Sequence, residues 1–202
     1  MIEEEEMARR HKGLYFYRRR KKISSALIRE IFTWIFGIVV AVFIAAVAVY
    51  FVGRTTRMIG VSMEPTVSNG ATVYVNRLSY LFGSPKKGDV VVFLPNGNEK
   101  SHYYVKRVVA TPGDRVQITG GRLYVNGLME EHDDIVFDKM ADAGIAENPI
   151  VLGADEYFVL GDNRNNSEDS RAANIGLVKK ADIWGKAWFC AGGDDRRLGL
   201  IK

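Results

Sequence analysis

From Ile31 to Val52 the chain reads IFTWIFGIVVAVFIAAVAVYFV, 22 residues without a charge. A helix rises about 1.5 Å per residue and the hydrocarbon core of a bilayer is about 30 Å thick, so roughly 20 such residues suffice to cross it. Trp34 and Tyr50 lie near the two ends, where amphipathic rings settle at membrane interfaces. Buried helices of soluble proteins seldom run this long without a polar stripe. A cleaved leader has a shorter apolar core followed by a small-residue cleavage site. The run therefore reads as one retained transmembrane helix over residues 31–52.

The flanking charges give the span a direction. Residues 1–30 hold nine Lys and Arg against five acids, including the run Arg18-Arg19-Arg20-Lys21-Lys22. Only Arg54 and Arg57 follow the span closely. Basic residues are retained on the cytoplasmic side. The sequence thus predicts a basic cytoplasmic tail over 1–30, a single pass through the cell membrane, and an extracytoplasmic domain over 53–202. The same count disposes of a nucleic-acid interpretation of the pI near 9.1, because everything after residue 30 carries 19 bases and 19 acids. His11, His102 and His132 are scattered and Cys190 is the single cysteine, so no metal site, no cofactor and no internal disulfide is expected.

Beyond the span, short β-branched and aromatic runs alternate with turn residues. The expected strands are 72–76, 89–94, 103–109, 115–119, 123–126, 157–160 and 183–189. Gly120-Gly121 separates two of them and suits a tight hairpin. The fold class expected is mostly β, an antiparallel and barrel-like domain behind one N-terminal transmembrane helix. Residues 127–155, richer in acids and alanine, read as loop with a short irregular segment.

Three segments carry the chemistry: Gly60 to Thr66 (GVSMEPT), Tyr104 to Asp114 (YVKRVVATPGD) and Gly161 to Arg171 (GDNRNNSEDSR). Taken singly, each is ordinary turn or strand composition. Together they supply a serine and a lysine. A serine hydroxyl is a weak nucleophile until a base takes its proton, and a lysine is a base only as the free amine. An unperturbed lysine near 10.4 must fall by about 3 units to act at neutral pH, which burial can achieve. On a strand, Lys106 shares a face with Tyr104 and Val108. Met58, Ile59, Val61 and Met63 surround Ser62 with apolar groups in sequence.

In this order and behind one span, these segments resemble the conserved boxes of bacterial type I signal peptidases. The family's Ser-Met-x-Pro-Thr is matched by Ser62 to Thr66. Its Lys-Arg strand leading to Pro-Gly-Asp is matched by Lys106 to Asp114, with Ala110-Thr111 a mild departure. Its Gly-Asp-Asn-Arg and Ser-x-Asp-Ser-Arg are matched within Gly161 to Arg171. No box is recognisable between Leu128 and Glu156. The resemblance implies a membrane-anchored serine endopeptidase acting on signal peptides of exported preproteins, with Ser62 as nucleophile and Lys106 as general base. It implies that Ser167 orients the lysine by a hydrogen bond, that Asp169 and Arg171 form an ion pair near the site, and that Asp162 pairs with Arg107. The oxyanion would be met by the backbone N–H of Ser62. Gram-negative members use a serine hydroxyl two residues earlier as the second donor, where this chain, like many Gram-positive members, has Gly60. Relatives of the endoplasmic-reticulum type carry histidine at the position of Lys106.

Cleavage after Ala-x-Ala is the specificity the resemblance implies. Ile59, Met63, Val67, Tyr104 and Val105 are expected to line the shallow pockets, unless they are ordinary β core. The expected partners are preprotein signal peptides and the lipid bilayer, with no nucleic acid and no metal, and the chain is expected to be monomeric. Two other uses of these residues compete with this one. Self-cleaving repressor-like proteases share the Ser–Lys site but lack a span. An inactive membrane module that binds exported proteins would not be expected to keep Ser62, Lys106 and Ser167 together.

Overall fold

The computed structural model describes residues 24–130 and 137–201. Most of the basic tail, including Arg18 to Lys22, lies outside the described residues, as do His11 and His132. By its internal contacts the chain separates at Phe43/Ile44 into two compact units. Helix α1 (Ser25–Val52) is long and apolar enough to cross a membrane, and none of its residues is buried against protein. It starts six residues before the uncharged run. The Ser24 hydroxyl accepts the N–H of Leu27 at 3.2 Å, a side-chain cap that lets the helix include Arg29 and Glu30.

The β domain is built from antiparallel pairs. Its large sheet contains β1 (Arg54–Arg57), β2 (Thr72–Asn76), β3 (Val90–Phe93), β4 (Tyr104–Ala110), β9 (Glu156–Leu160), β10 (Val178–Lys179), β11 (Ile183–Gly192) and β12 (Arg197–Leu200). The order is β1-β2-β11-β3-β4-β9-β10, with β12 also paired to β11, so the sheet is open at β1 and β10 rather than closed into a full barrel. A second sheet has the order β7-β6-β5-β8, made from β5 (Arg115–Thr119), β6 (Arg122–Val125), β7 (Leu128–Met129) and β8 (Ile150–Val151). Between β2 and β3 lies a single helical turn, α2 (Leu78–Leu81).

Patterning explains which strands sit where. In β2, β5 and β6 every second residue is buried, whereas β3 is buried on both faces, as is β4 after its first residue. Gly120 (φ +57°) and Gly121 (φ +74°) join β5 to β6 with two consecutive left-handed residues, the geometry of a two-residue hairpin. The segment 127–155 corrects the loop expectation. It supplies β7, a 3-10 turn at Gly144–Glu147 and β8, short edge strands that extend the β5–β6 hairpin. Beneath the segment that carries Ser62 lies one core cluster: Met58, Met63, Val67, Val73, Val75, Val90, Val92 and Val105 pack together, with Cys190 beside them.

Candidate active site

Ser62 stands in the turn between β1 and β2. Its neighbours Met63 and Val67 are fully buried, and the Val67 N–H bonds the Met63 carbonyl at 2.9 Å, so the turn is anchored from below. Gly60 opens it with φ +86° and donates its N–H to Asn69 Oδ1 at 2.9 Å. A side chain is strained at that dihedral, which accounts for the glycine. Among the described residues the Ser62 N–H makes no hydrogen bond. It remains free to meet a developing oxyanion.

Lys106 comes from β4, opposite Val91 of β3, and is only 3% exposed. Its Nζ lies 2.6 Å from Ser62 Oγ. Burial lowers the lysine from 10.5 to about 8, against the opposing pull of Asp169, Glu168 and Asp162, while Arg171 pushes the same way as burial. A hydroxyl at hydrogen-bond distance from an amine can pass its proton to that amine once the amine is uncharged.

A polar network ties the three sequence segments together. Arg107 donates to both oxygens of Asp162, at 2.7 Å each, and to the Gly88 carbonyl at 2.8 Å. Thr66 Oγ1 donates to the same carboxylate at 2.5 Å. The Asn163 N–H meets the Ser62 carbonyl at 3.1 Å and its Nδ2 meets the Val61 carbonyl at 3.2 Å. Arg171 grips Asp169 through Nε (2.8 Å) and Nη2 (2.9 Å), and Asp169 Oδ2, the acceptor of Nη2, also accepts the Gly161 N–H at 3.1 Å. Gly161 has no room for a side chain: a Cβ there would overlap Ser167 Oγ and the Ser62 carbonyl.

Residues 31–191 match the family model described as signal peptidase, peptidase S26. The chain belongs to that family. Signal peptidase I P of Bacillus subtilis subsp. natto is 36% identical over 163 residues, covering 77% of this chain and 86% of the relative. Signal peptidase IB of Staphylococcus aureus (strain COL) is 36% identical over 177 residues, covering 80% and 89%. A crystal structure of a signal peptidase I from Enterococcus faecalis V583 aligns with a TM-score of 0.41 at 26% identity, over 52% of this chain and 97% of that one. This peptidase is therefore a serine peptidase, a hydrolase, of the kind that removes signal peptides.

A cavity of about 220 Å³ opens beside Ser62 and Lys106, lined by Met58, Ile59, His102, Tyr103, Tyr104, Val105 and Glu168. Of the residues expected to line it, Ile59, Tyr104 and Val105 do so. Met63 and Val67 do not: both are 0% exposed and belong to the core under the turn, where their apolar side chains anchor the segment that carries Ser62. Ser167 also departs from expectation. Its buried Oγ has no hydrogen-bond partner among the described residues, so the expected bond to Lys106 is not made, and the hydroxyl rests beside Gly161. Sequence reasoning missed Met58, His102, Tyr103 and Glu168 as pocket residues and Thr66 and Asn163 as bracing ones. All six lie within, or within two residues of, the three segments, which was the available signal.

Proposed function

We propose that this peptidase cleaves exported preproteins after Ala-x-Ala, with Ser62 as nucleophile and Lys106 as general base. The observation that carries this reading is the 2.6 Å approach of Ser62 Oγ to the buried Lys106 amine. Ser62 Oγ adds to the scissile carbonyl carbon as its proton passes to Lys106 Nζ. The oxyanion is met by the Ser62 N–H. Collapse breaks the C–N bond, and the ammonium of Lys106 returns the proton to the departing amine. Water, deprotonated by the same amine, then hydrolyses the acyl-enzyme and restores the serine. Asp162 with Arg107, and Asp169 with Arg171, hold the strand and turn that carry these groups. A cavity of about 220 Å³ walled by Ile59, Tyr104 and Val105 suits small side chains ahead of the scissile bond.

The full chain in detergent is expected to cut a preprotein after its Ala-x-Ala site. Ser62→Ala and Lys106→Ala are each expected to lower kcat by at least about a thousandfold with the fold retained. Full-rate cleavage by either variant would refute the assignment. The domain reading places residues 1–30 in the cytoplasm, 31–52 in the membrane and 53–202 outside, with one chain sufficient for activity. Protease added outside sealed cells should then digest the β domain and spare an epitope at the N-terminus. The reverse pattern would overturn the orientation.

A further inference from the structure

One carboxylate in the cavity has no part in the exchange of protons between Ser62 and Lys106. Glu168 lines the cavity with both of them. One of its oxygens accepts the Tyr104 hydroxyl at 3.0 Å and the other accepts Asn174 Nδ2 at 2.6 Å. Both donors are neutral, and among the described residues Glu168 makes no ion pair. Asp162 and Asp169 differ from it in this respect, since each is held by an arginine. The tether has a mechanical end as well. Lys106 Nζ lies 5.5 Å from the centroid of the Tyr104 ring, and the His102 ring stacks on Tyr104 at 4.9 Å and 16°.

We propose that Glu168 is a positioning residue for the base, holding Tyr104 against Lys106 and presenting to its amine a negative charge that no arginine neutralises. The proposal rests on Lys106 acting as the general base. The charged groups around the amine are Asp162, Glu168, Asp169 and Arg171, with Arg107 behind Asp162 and His102 beside Glu168. Hydrogen bonds from Asn174 and then Tyr104 hold the Glu168 carboxyl below its usual range, so it is ionised wherever the enzyme works. An ionised carboxylate favours the ammonium over the amine. Glu168 therefore keeps Lys106 more protonated at neutral pH than burial alone would.

The test is kcat/KM against pH, from pH 6 to 10, for the full chain in detergent with a preprotein substrate. Glu168→Gln keeps an acceptor for Tyr104 but removes the charge. Its alkaline-rising limb is expected to move down by about half a pH unit, raising the rate at pH 7 about threefold, the scale of one screened charge. Added salt should shrink that difference by screening the wild-type carboxylate. Glu168→Asp keeps the charge and should keep the wild-type midpoint. Glu168→Ala should share the lowered midpoint and lose plateau rate as Tyr104 comes free. A Glu168→Gln midpoint equal to wild type, on a profile that does rise with pH, overturns the role of Glu168 alone. A wild-type profile flat across this range overturns the base assignment and this proposal with it.

Discussion

At the scale of single residues, the site turns on Lys106, whose charged form is disfavoured by burial. It is nearly inaccessible to water and loses its proton near 8 in the folded chain, but near 10.5 when solvated. Below pH 8 both states are protonated and the whole penalty falls on the native state. Between about 8 and 10.5 the unfolded chain binds the extra proton, so stability rises with pH across that window. Lys106→Met, which fills similar space without charge, should therefore raise unfolding free energy at pH 7 by about 3 kcal/mol, with the gain fading as pH approaches 10.5. Denaturation of the full chain in detergent, followed by tryptophan fluorescence at pH 7 and pH 10, checks this. An equal difference at both pH values would show that burial does not penalise the charged lysine. Residue identity in the nucleophile turn and around Gly161 was legible from the sequence because those positions are constrained by chemistry. Pocket wall and β core stayed open for Met63 and Val67 in the sequence, because an apolar side chain next to Ser62 can face either way, and the turn geometry puts both in the core.

Among the elements, the strands read correctly are those whose pattern is strong. TVYVN and RVQIT became β2 and β5 with the expected limits, while β4 is shifted by one residue from 103–109 to Tyr104–Ala110. The strands that were missed, β1, β7, β8, β10 and β12, are the short or polar ones. RTTR is polar throughout, RLGL offers only two leucines around a glycine, and two-residue strands carry no period at all. They exist because a neighbour offers its free edge. What joins β4 to the nucleophile turn is likewise invisible to periodicity: the Asp162 carboxylate, shared by Arg107 and Thr66. Both partners of this ion pair are essentially inaccessible. Asp162→Asn leaves the Arg107 charge buried without its counter-ion and should destabilise the β domain by about 3–5 kcal/mol. It should also lower activity through misplacement of Lys106. Thermal unfolding and the cleavage assay together check it, and a variant as stable and active as wild type would remove Asp162 from the bracing role.

The molecule as a whole combines a membrane-length helix with an open antiparallel sheet whose centre, β3-β4-β9, is the most thoroughly buried part. Lys106 sits on that rigid centre and Ser62 on a turn tied to it through Asp162 and Asn163. Preorganisation of this kind needs no ligand to assemble it. The span and the class of domain could be read from the sequence because they follow from composition and period. The pairing of Ser62 with Lys106 could be inferred only from the joint content of three distant segments. The contribution of Glu168 and Tyr104 depends on side-chain packing that no motif encodes. All of this chemistry requires the Lys106 amine to be uncharged at the pH where the peptidase works. A carbon-13 NMR titration of lysine side chains in the full-length protein, with Lys106 assigned by its absence in Lys106→Met, reads that charge without an intermediary. One resonance titrating near 8, coincident with the rise in cleavage rate, is the predicted result. Titration of Lys106 near 10.5 alongside the surface lysines would contradict it.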